Sequence, residues 1–251
     1  MPSRSPWASF AGLFIVTNLG LLAVGATLPV LPHYVKDELG GGELAVGSVS
    51  GAFALTGIVC RPAAGHFADT RGRKPTVVVG AILAAIAGCL YFVPAGIPGL
   101  IVSRLFLGAG EGTVFTAGSA WNVDLAPAER RGRMIGLYGI AIWTGLTLGP
   151  PIGVQLQDLG GYELVWAFAA AAPLLGAAIA TRLPETEPRA PERAAGPFIA
   201  REALGPGSTF ALSVVGFAAA SAFLAICLVY MGIGLGPTVF CALAGTVVAT
   251  R

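Results

Sequence analysis

Apolar residues in this 251-residue chain come in runs of about 20, and that feature limits what it can fold into more than any other. Crossing roughly 30 Å of hydrocarbon at 1.5 Å per residue takes a helix of about 20 residues. The runs lie near residues 8–32, 44–66, 75–95, 98–121, 134–155, 162–181 and 208–231, and a shorter one at 237–250 precedes Arg251. Core strands of a soluble domain do not make runs of that length. In the absence of water every backbone N–H and C=O must pair within its own segment, and the runs lack the every-second-residue alternation of barrel strands. The expectation is an all-α integral membrane protein with seven spans and a partial eighth. Charged residues are only 11% of the chain, against about 25% in a soluble domain, and mean hydropathy is +0.78.

Orientation follows from Lys and Arg, which collect in loops facing the cytoplasm. With the N-terminus inside, 12 of the 15 basic residues fall on that side: Arg4, Arg61, Arg71, Arg73, Lys74, Arg130, Arg131, Arg133, Arg182, Arg189, Arg193 and Arg201. Lys36 falls in an outer loop, Arg104 inside the fourth span, and Arg251 ends the chain. Arg4 and the apolar run after it read as an uncleaved first helix, because the run is longer than a secretory signal core. The net charge of +2 gives no reason to expect a nucleic-acid partner.

Residues 183–207 are rich in Pro, Glu, Arg and Gly and lack apolar periodicity, which reads as a solvated connector between membrane bundles. The expected organisation is a six-helix bundle over 1–182, a cytoplasmic linker over 183–207, and a seventh helix with a partial eighth over 208–251. Cys60, Cys89, Cys227 and Cys241 lie apart in apolar stretches and read as packing residues, with no metal site. The P-loop string is missing. His33 and His66 stand near span ends and no span carries an Asp pair, which argues against an intramembrane enzyme.

Gly65-His66-Phe67-Ala68-Asp69-Thr70-Arg71-Gly72-Arg73-Lys74 fits the pattern G-x-x-x-D-x-x-G-R-K. Gly65 and Asp69 are four apart and share a helix face, where glycine lets a neighbouring helix come close. Asp69 would sit at a helix C-terminus, where the macrodipole disfavours an anion. It then needs compensation from Arg71, Arg73, Lys74 or the N-terminus of another helix. The string resembles the signature loop of the major facilitator superfamily, in which this acid braces one conformational state against the other half.

Two further spans carry similar likenesses. In the fifth, Gly136, Gly145, Gly149-Pro150 and Gly153 resemble the superfamily's antiporter motif, although Val154 stands where the family often has a second glycine. The glycines form a smooth strip and Pro150 favours a bend; a hinge and plain helix packing are both open readings. In the fourth, Arg104, Gly108 and Gly110 resemble the family's R-x-x-x-G-x-G pattern, followed by Glu111 and Gly112. An intramembrane Arg is costly and should face a cavity or a partner. The family Arg is implicated in proton transfer, and desolvation favours the neutral form of a carboxyl, so Glu111 is a candidate proton carrier; a permanently protonated packing residue is the other reading. Two helix turns separate the backbones of Arg104 and Glu111, too far for an easy ion pair. Asn18 in the first span, which ends in Pro29-Val30-Leu31-Pro32 like the family's first helix, either lines a cavity or hydrogen-bonds a neighbour. Pro127 to Arg133 resembles the family's second basic loop.

The resemblance implies a major-facilitator-type bundle of two inverted three-helix repeats, working by alternating access. It implies proton-coupled efflux by antiport of a small amphipathic molecule or drug, with a sugar or other metabolite as the alternative. Proton coupling falls to Arg104 and Glu111, the conformational switch to Gly65, Asp69, Gly72, Arg73 and Lys74, and the substrate cavity to Asn18 and Glu111. The expected location is the inner (plasma) membrane, with the lipid bilayer, protons and a small-molecule substrate as partners. No cofactor is expected beyond the proton gradient. Two six-helix halves would need roughly 400 residues, so a truncated product, a half-transporter pairing with a second chain or with itself, and an inactive assembly subunit are also expectations.

Overall fold

The computed structural model describes residues 6–185, 204–205, 207–209 and 212. The chain divides into two compact units, Met1–Ala194 and Ala195–Arg251, and the bundle belongs to the first. The expected spans at 208–231 and 237–250, and nearly all of the 183–207 connector, lie outside the described residues.

Five long helices follow one another: α1 (Pro6–His33), α2 (Glu43–Arg71), α3 (Arg73–Leu90), α4 (Gly96–Leu125) and α5 (Arg131–Thr181). A π-helical turn, Tyr34–Glu38, extends α1, and a 3₁₀ turn, Ala128–Arg130, leads into α5. No strand occurs among the described residues. All five helices are long and apolar enough to cross a membrane.

The last of them makes two passes. Its 51 residues would extend about 77 Å at 1.5 Å per residue, more than twice the hydrocarbon thickness. The backbone leaves helical geometry at Gly160 (φ −153°) and Gly161 (φ 67°), the second a conformation that favours glycine. Below that break the arm of residues 131–159, α5a, runs beside α1 in the same direction: Tyr138 meets Thr17, and Gly149 meets Gly25. The arm of residues 162–181, α5b, returns antiparallel, with Trp166 against Tyr34 and Gly176 against Val16. Six passes result, matching the first six expected spans.

The packing pattern is that of two inverted repeats. Helix α1 packs on both arms of α5, α4 packs on α2 and α3, and α3 packs on α5. Exchanging α1, α2 and α3 for α4, α5a and α5b maps this set of pairings onto itself. Close approaches use small residues, as in membrane bundles where packing rather than hydrophobic transfer joins helices: Gly80 lies against Gly110, and Gly88 against the backbone of Ala169 and Ala170. One core layer at the basic end gathers Leu13, Val77, Trp121, Met134 and Tyr138. A second at the opposite end gathers Val30, Val35, Val49, Tyr91 and Trp166. There Tyr91 stacks on Trp166 at 4.6 Å and Tyr34 meets Tyr162 edge-on at 4.8 Å, an aromatic belt of the kind found at membrane interfaces.

Three sequence expectations need correction. The second span does not end at 66: α2 continues to Arg71, so the segment read as a loop is helix on both sides of a single break at Gly72 (φ 107°). Arg61, counted with the basic loops, therefore lies ten residues inside α2. Cys89, read as a packing residue, is exposed on the outside of the bundle, and Cys60 is half-buried.

Candidate functional site

At the basic end, Gly72 reverses the chain so tightly that α2 and α3 are separated by one residue. This brings Arg73, the first residue of α3, back over Asp69, in the last turn of α2. Arg73 Nη1 lies 2.6 Å from Asp69 Oδ1, and its Nε donates to Asp124 Oδ2 at 2.9 Å. The guanidinium is buried at 7% exposure, while each carboxylate keeps 34%. Of the compensating groups expected for Asp69, the structure selects Arg73. Asp124, at the end of α4, was not singled out from the sequence; 51 residues separate it from Arg73, and no local pattern announces the contact. A fourth member comes from beyond α5: Glu185 Oε1 accepts the backbone N–H groups of Arg73 and Lys74 at 3.1 and 3.2 Å. These are orphan donors at the start of α3, so Glu185 caps that helix. Gly65 is less constrained than expected, since a Cβ there would meet Thr116 at an ordinary 3.8 Å.

Glu111 stands at the middle of the 30-residue α4, buried at 6% exposure. Its carboxyl packs against Gly20 of α1, where any side chain would collide with Oε1. That oxygen has no hydrogen-bond partner among the described residues. Arg104 is also buried, at 3%, with Nε unpartnered, and its guanidinium lies 5.9 Å from the ring centre of Tyr91. It is seven residues, or about 10 Å of helix rise, from Glu111, and the two form no ion pair. The structure thus separates the two coupling candidates: Arg104 belongs to the aromatic end layer and Glu111 to the centre.

One turn below Gly20 on α1, Thr17 shares a 2.9 Å hydrogen bond with the Tyr138 hydroxyl of α5a, both buried. Asn18 Nδ2 donates to the Ala141 carbonyl and to Thr144 Oγ1, each at 2.9 Å. Of its two readings, the structure supplies the hydrogen bond to a neighbouring helix. Tyr138 escaped sequence reasoning because an aromatic residue in an apolar run looks like core. Its partner, 121 positions away, is what gives it polar meaning.

The antiporter-like strip on α5a faces α1. Side chains at Gly145, Gly149 and Gly153 would run into Leu21, Gly25 and Ala26, respectively. Gly136 has nothing within 4 Å of a built Cβ, so it takes no part in this packing. Arg61 projects from the exposed side of α2, its Nε donating to the Gly57 carbonyl at 3.2 Å and its guanidinium 4.8 Å from the ring centre of Phe115. Phe115 is one turn from Glu111 on α4.

The family model described as Major Facilitator Superfamily matches residues 13–250. An uncharacterized MFS-type transporter of Salmonella typhimurium is 30% identical over 237 residues, covering 90% of this chain and 61% of that protein. One from Burkholderia mallei is 35% identical over 149 residues, 56% of this chain and 37% of the relative. The chain therefore spans under two thirds of the length of these relatives. Among solved structures, the human organic anion transporter MFSD10 (TETRAN) superposes with a TM-score of 0.63 at 23% identity, over 75% of this chain and 51% of that one. A peptide transporter POT superposes with a TM-score of 0.62 at 21% identity, over 88% and 46%. At such identities the likeness is one of fold.

Proposed function

The chain belongs to the major facilitator superfamily, and we propose that within this family of membrane transporters it serves proton-coupled antiport of a small amphipathic molecule. The observation that carries the reading is Glu111: a carboxyl at the centre of the bundle, between α4 and α1, with Oε1 unpaired and no ion pair among the described residues. An ionised carboxylate in such a place lacks compensation, whereas the protonated form is tolerable. Losing the proton therefore favours an arrangement in which water or a cation reaches Glu111, and regaining it favours the closed packing against Gly20. An acid whose charge state biases two packings couples proton flow to alternating access.

The network of Asp69, Arg73 and Asp124 ties α2, α3 and α4 together at the basic end, with Gly65, Gly72 and Lys74 in the same segment. In this reading it braces one of the two states. The strip of Gly145, Gly149 and Gly153, beside Pro150, gives α5a a smooth face on which to move against α1. The substrate path would run between this bundle and a second one, supplied by further chain, by a partner chain or by a second copy. The basic end faces the cytoplasm and the membrane is the inner (plasma) membrane; efflux is the direction of transport.

The test is uptake of a fluorescent amphipathic dye into proteoliposomes holding the chain, driven by an imposed pH gradient. Wild type accumulates dye and Glu111→Gln does not, while Glu111→Gln still equilibrates dye without a gradient. Gradient-driven uptake that survives Glu111→Gln removes Glu111 from coupling. Absence of uptake in a folded, inserted wild type overturns transport by this chain alone.

A further inference from the structure

Helices α2 and α3 both lean on α4 and scarcely touch each other beyond the turn at Gly72. They leave a groove of about 450 Å³ between them, open to the outside of the bundle. Cys60 and Phe67 of α2 form one wall, Val79 and Leu83 of α3 the other, Ala109 of α4 the floor, and Arg71 stands at the mouth. We propose that this groove binds one phospholipid of the leaflet on the basic side, an acyl chain lying in the groove and the phosphate resting on Arg71.

Three features of the groove fit that occupant. The first is polarity. Two threonines line the walls, but Thr76 donates to the Gly72 carbonyl and Thr113 to the Ala109 carbonyl, so neither hydroxyl seeks a ligand. Phe67 and Val79 remain 46% and 54% exposed, which a hydrocarbon chain satisfies. The second is length. From Cys60 to Arg71 is eleven residues, or about 16 Å of helix rise, close to half of a roughly 30 Å hydrocarbon core. The groove thus spans one leaflet, from headgroup level towards the midplane, as an acyl chain does.

The third is charge. Among the described residues that line the groove Arg71 is the one charged side chain, and it is exposed. Among the described residues it has no acidic partner, because Asp69 and Asp124 both turn to Arg73. Its guanidinium lies 5.2 Å from the Phe67 ring centre, which holds it over the mouth. A basic group at the membrane surface beside an acyl-sized groove complements a lipid phosphate. The neighbouring Asp69, Arg73 and Asp124 network puts such a lipid against the proposed state brace.

Native mass spectrometry of the delipidated chain with dioleoylphosphatidylglycerol tests the proposal, with dioleoylglycerol, which lacks the phosphate, as the comparison. The expected result is one retained phosphatidylglycerol per chain. Retention falls about fivefold in Arg71→Ala, the worth of one basic residue at an anionic surface, and falls likewise in Ala63→Trp, which fills the groove. The phospholipid should also slow alkylation of Cys60 without changing Cys89, which lies outside the groove. Retention indifferent to both substitutions overturns the proposal, and so does dioleoylglycerol binding as well as the phospholipid. Cys60 protected equally with and without lipid means that protein covers the groove, which overturns it too. None of these readouts depends on transport.

Discussion

Gly25 and Gly149 meet backbone to backbone where α1 crosses α5a: a Cβ added to Gly149 would stand 2.6 Å from Gly25 Cα, and one added to Gly25 would stand 3.0 Å from Gly149 Cα. Neither neighbour is a flexible side chain that could swing aside, so a larger residue must push the helices apart. Overpacking of this kind costs about 1–3 kcal/mol or more. Gly149→Val should lower the unfolding temperature of the detergent-solubilised protein, and Gly153→Val should do the same against Ala26. Gly136→Ala, with open space around it, should stay within about 0.5 kcal/mol of wild type. If Gly136→Ala proves as damaging as Gly149→Val, packing on α1 is not what the glycines share.

Arg73 holds two carboxylates, and its loss should cost more than the loss of either one. Arg73→Gln leaves Asp69 and Asp124 facing each other at the end of the bundle, whereas Asp124→Asn leaves the Asp69 pair in place. A hydrogen bond to a charged group is worth about 1.5–3 kcal/mol; the carboxylates' partial exposure puts Asp124→Asn at or below the lower figure. Melting temperatures should rank wild type above Asp124→Asn and Asp124→Asn above Arg73→Gln. In the double variant Arg73→Gln with Asp124→Asn, the two losses should not add, since both break one network.

How much of this was open to sequence reasoning depends on the distance over which the information acts. The spans were legible because their cause is local: a run of apolar residues long enough to cross hydrocarbon identifies itself, and the gap between the runs at 134–155 and 162–181 already located the turn at Gly160 and Gly161. The end of α2 was not. Asp69, Thr70 and Arg71 are polar enough to resemble a loop, yet the helix runs on through them because Gly72 alone accepts the reversal and Arg73 then neutralises the acid. The central site was half legible. Glu111 stands out as an acid inside a span, but its neighbours Gly20, Thr17 and Tyr138 arrive from helices far away in sequence. The seven-residue spacing of Arg104 and Glu111 already argues against an ion pair, whereas the contact of Arg104 with Tyr91, just past the end of α3, needed the fold.

Glu185, just beyond α5, caps the bundle's third helix. Its carboxylate accepts two backbone N–H groups at the start of α3, and removing a helix cap costs about 0.5–2 kcal/mol. Glu185→Ala should destabilise the protein by an amount in that range, and Glu185→Gln, which keeps an acceptor oxygen, by less. Faster amide hydrogen exchange at Arg73 and Lys74 in Glu185→Ala, with the rest of α3 unchanged, identifies the cap as the cause. Equal exchange in both variants and wild type would mean that the cap adds nothing to the turn.

The reversal at Gly160 and Gly161 carries a backbone constraint like that at Gly72. Gly161 has φ 67° and ψ −165°, a region that essentially only glycine occupies and that costs another residue about 1–3 kcal/mol. Space is not the obstacle, because a Cβ on Gly161 would meet nothing within 4 Å. Any penalty for Gly161→Ala is therefore conformational. Gly139→Ala supplies the contrast: it too has open surroundings but sits inside a helix, where alanine is favoured over glycine by up to about 1 kcal/mol. Gly161→Ala should melt below wild type and Gly139→Ala at or above it. The reverse order would mean that the chain does not turn at Gly161 and that α5 does not fold back on α1 there.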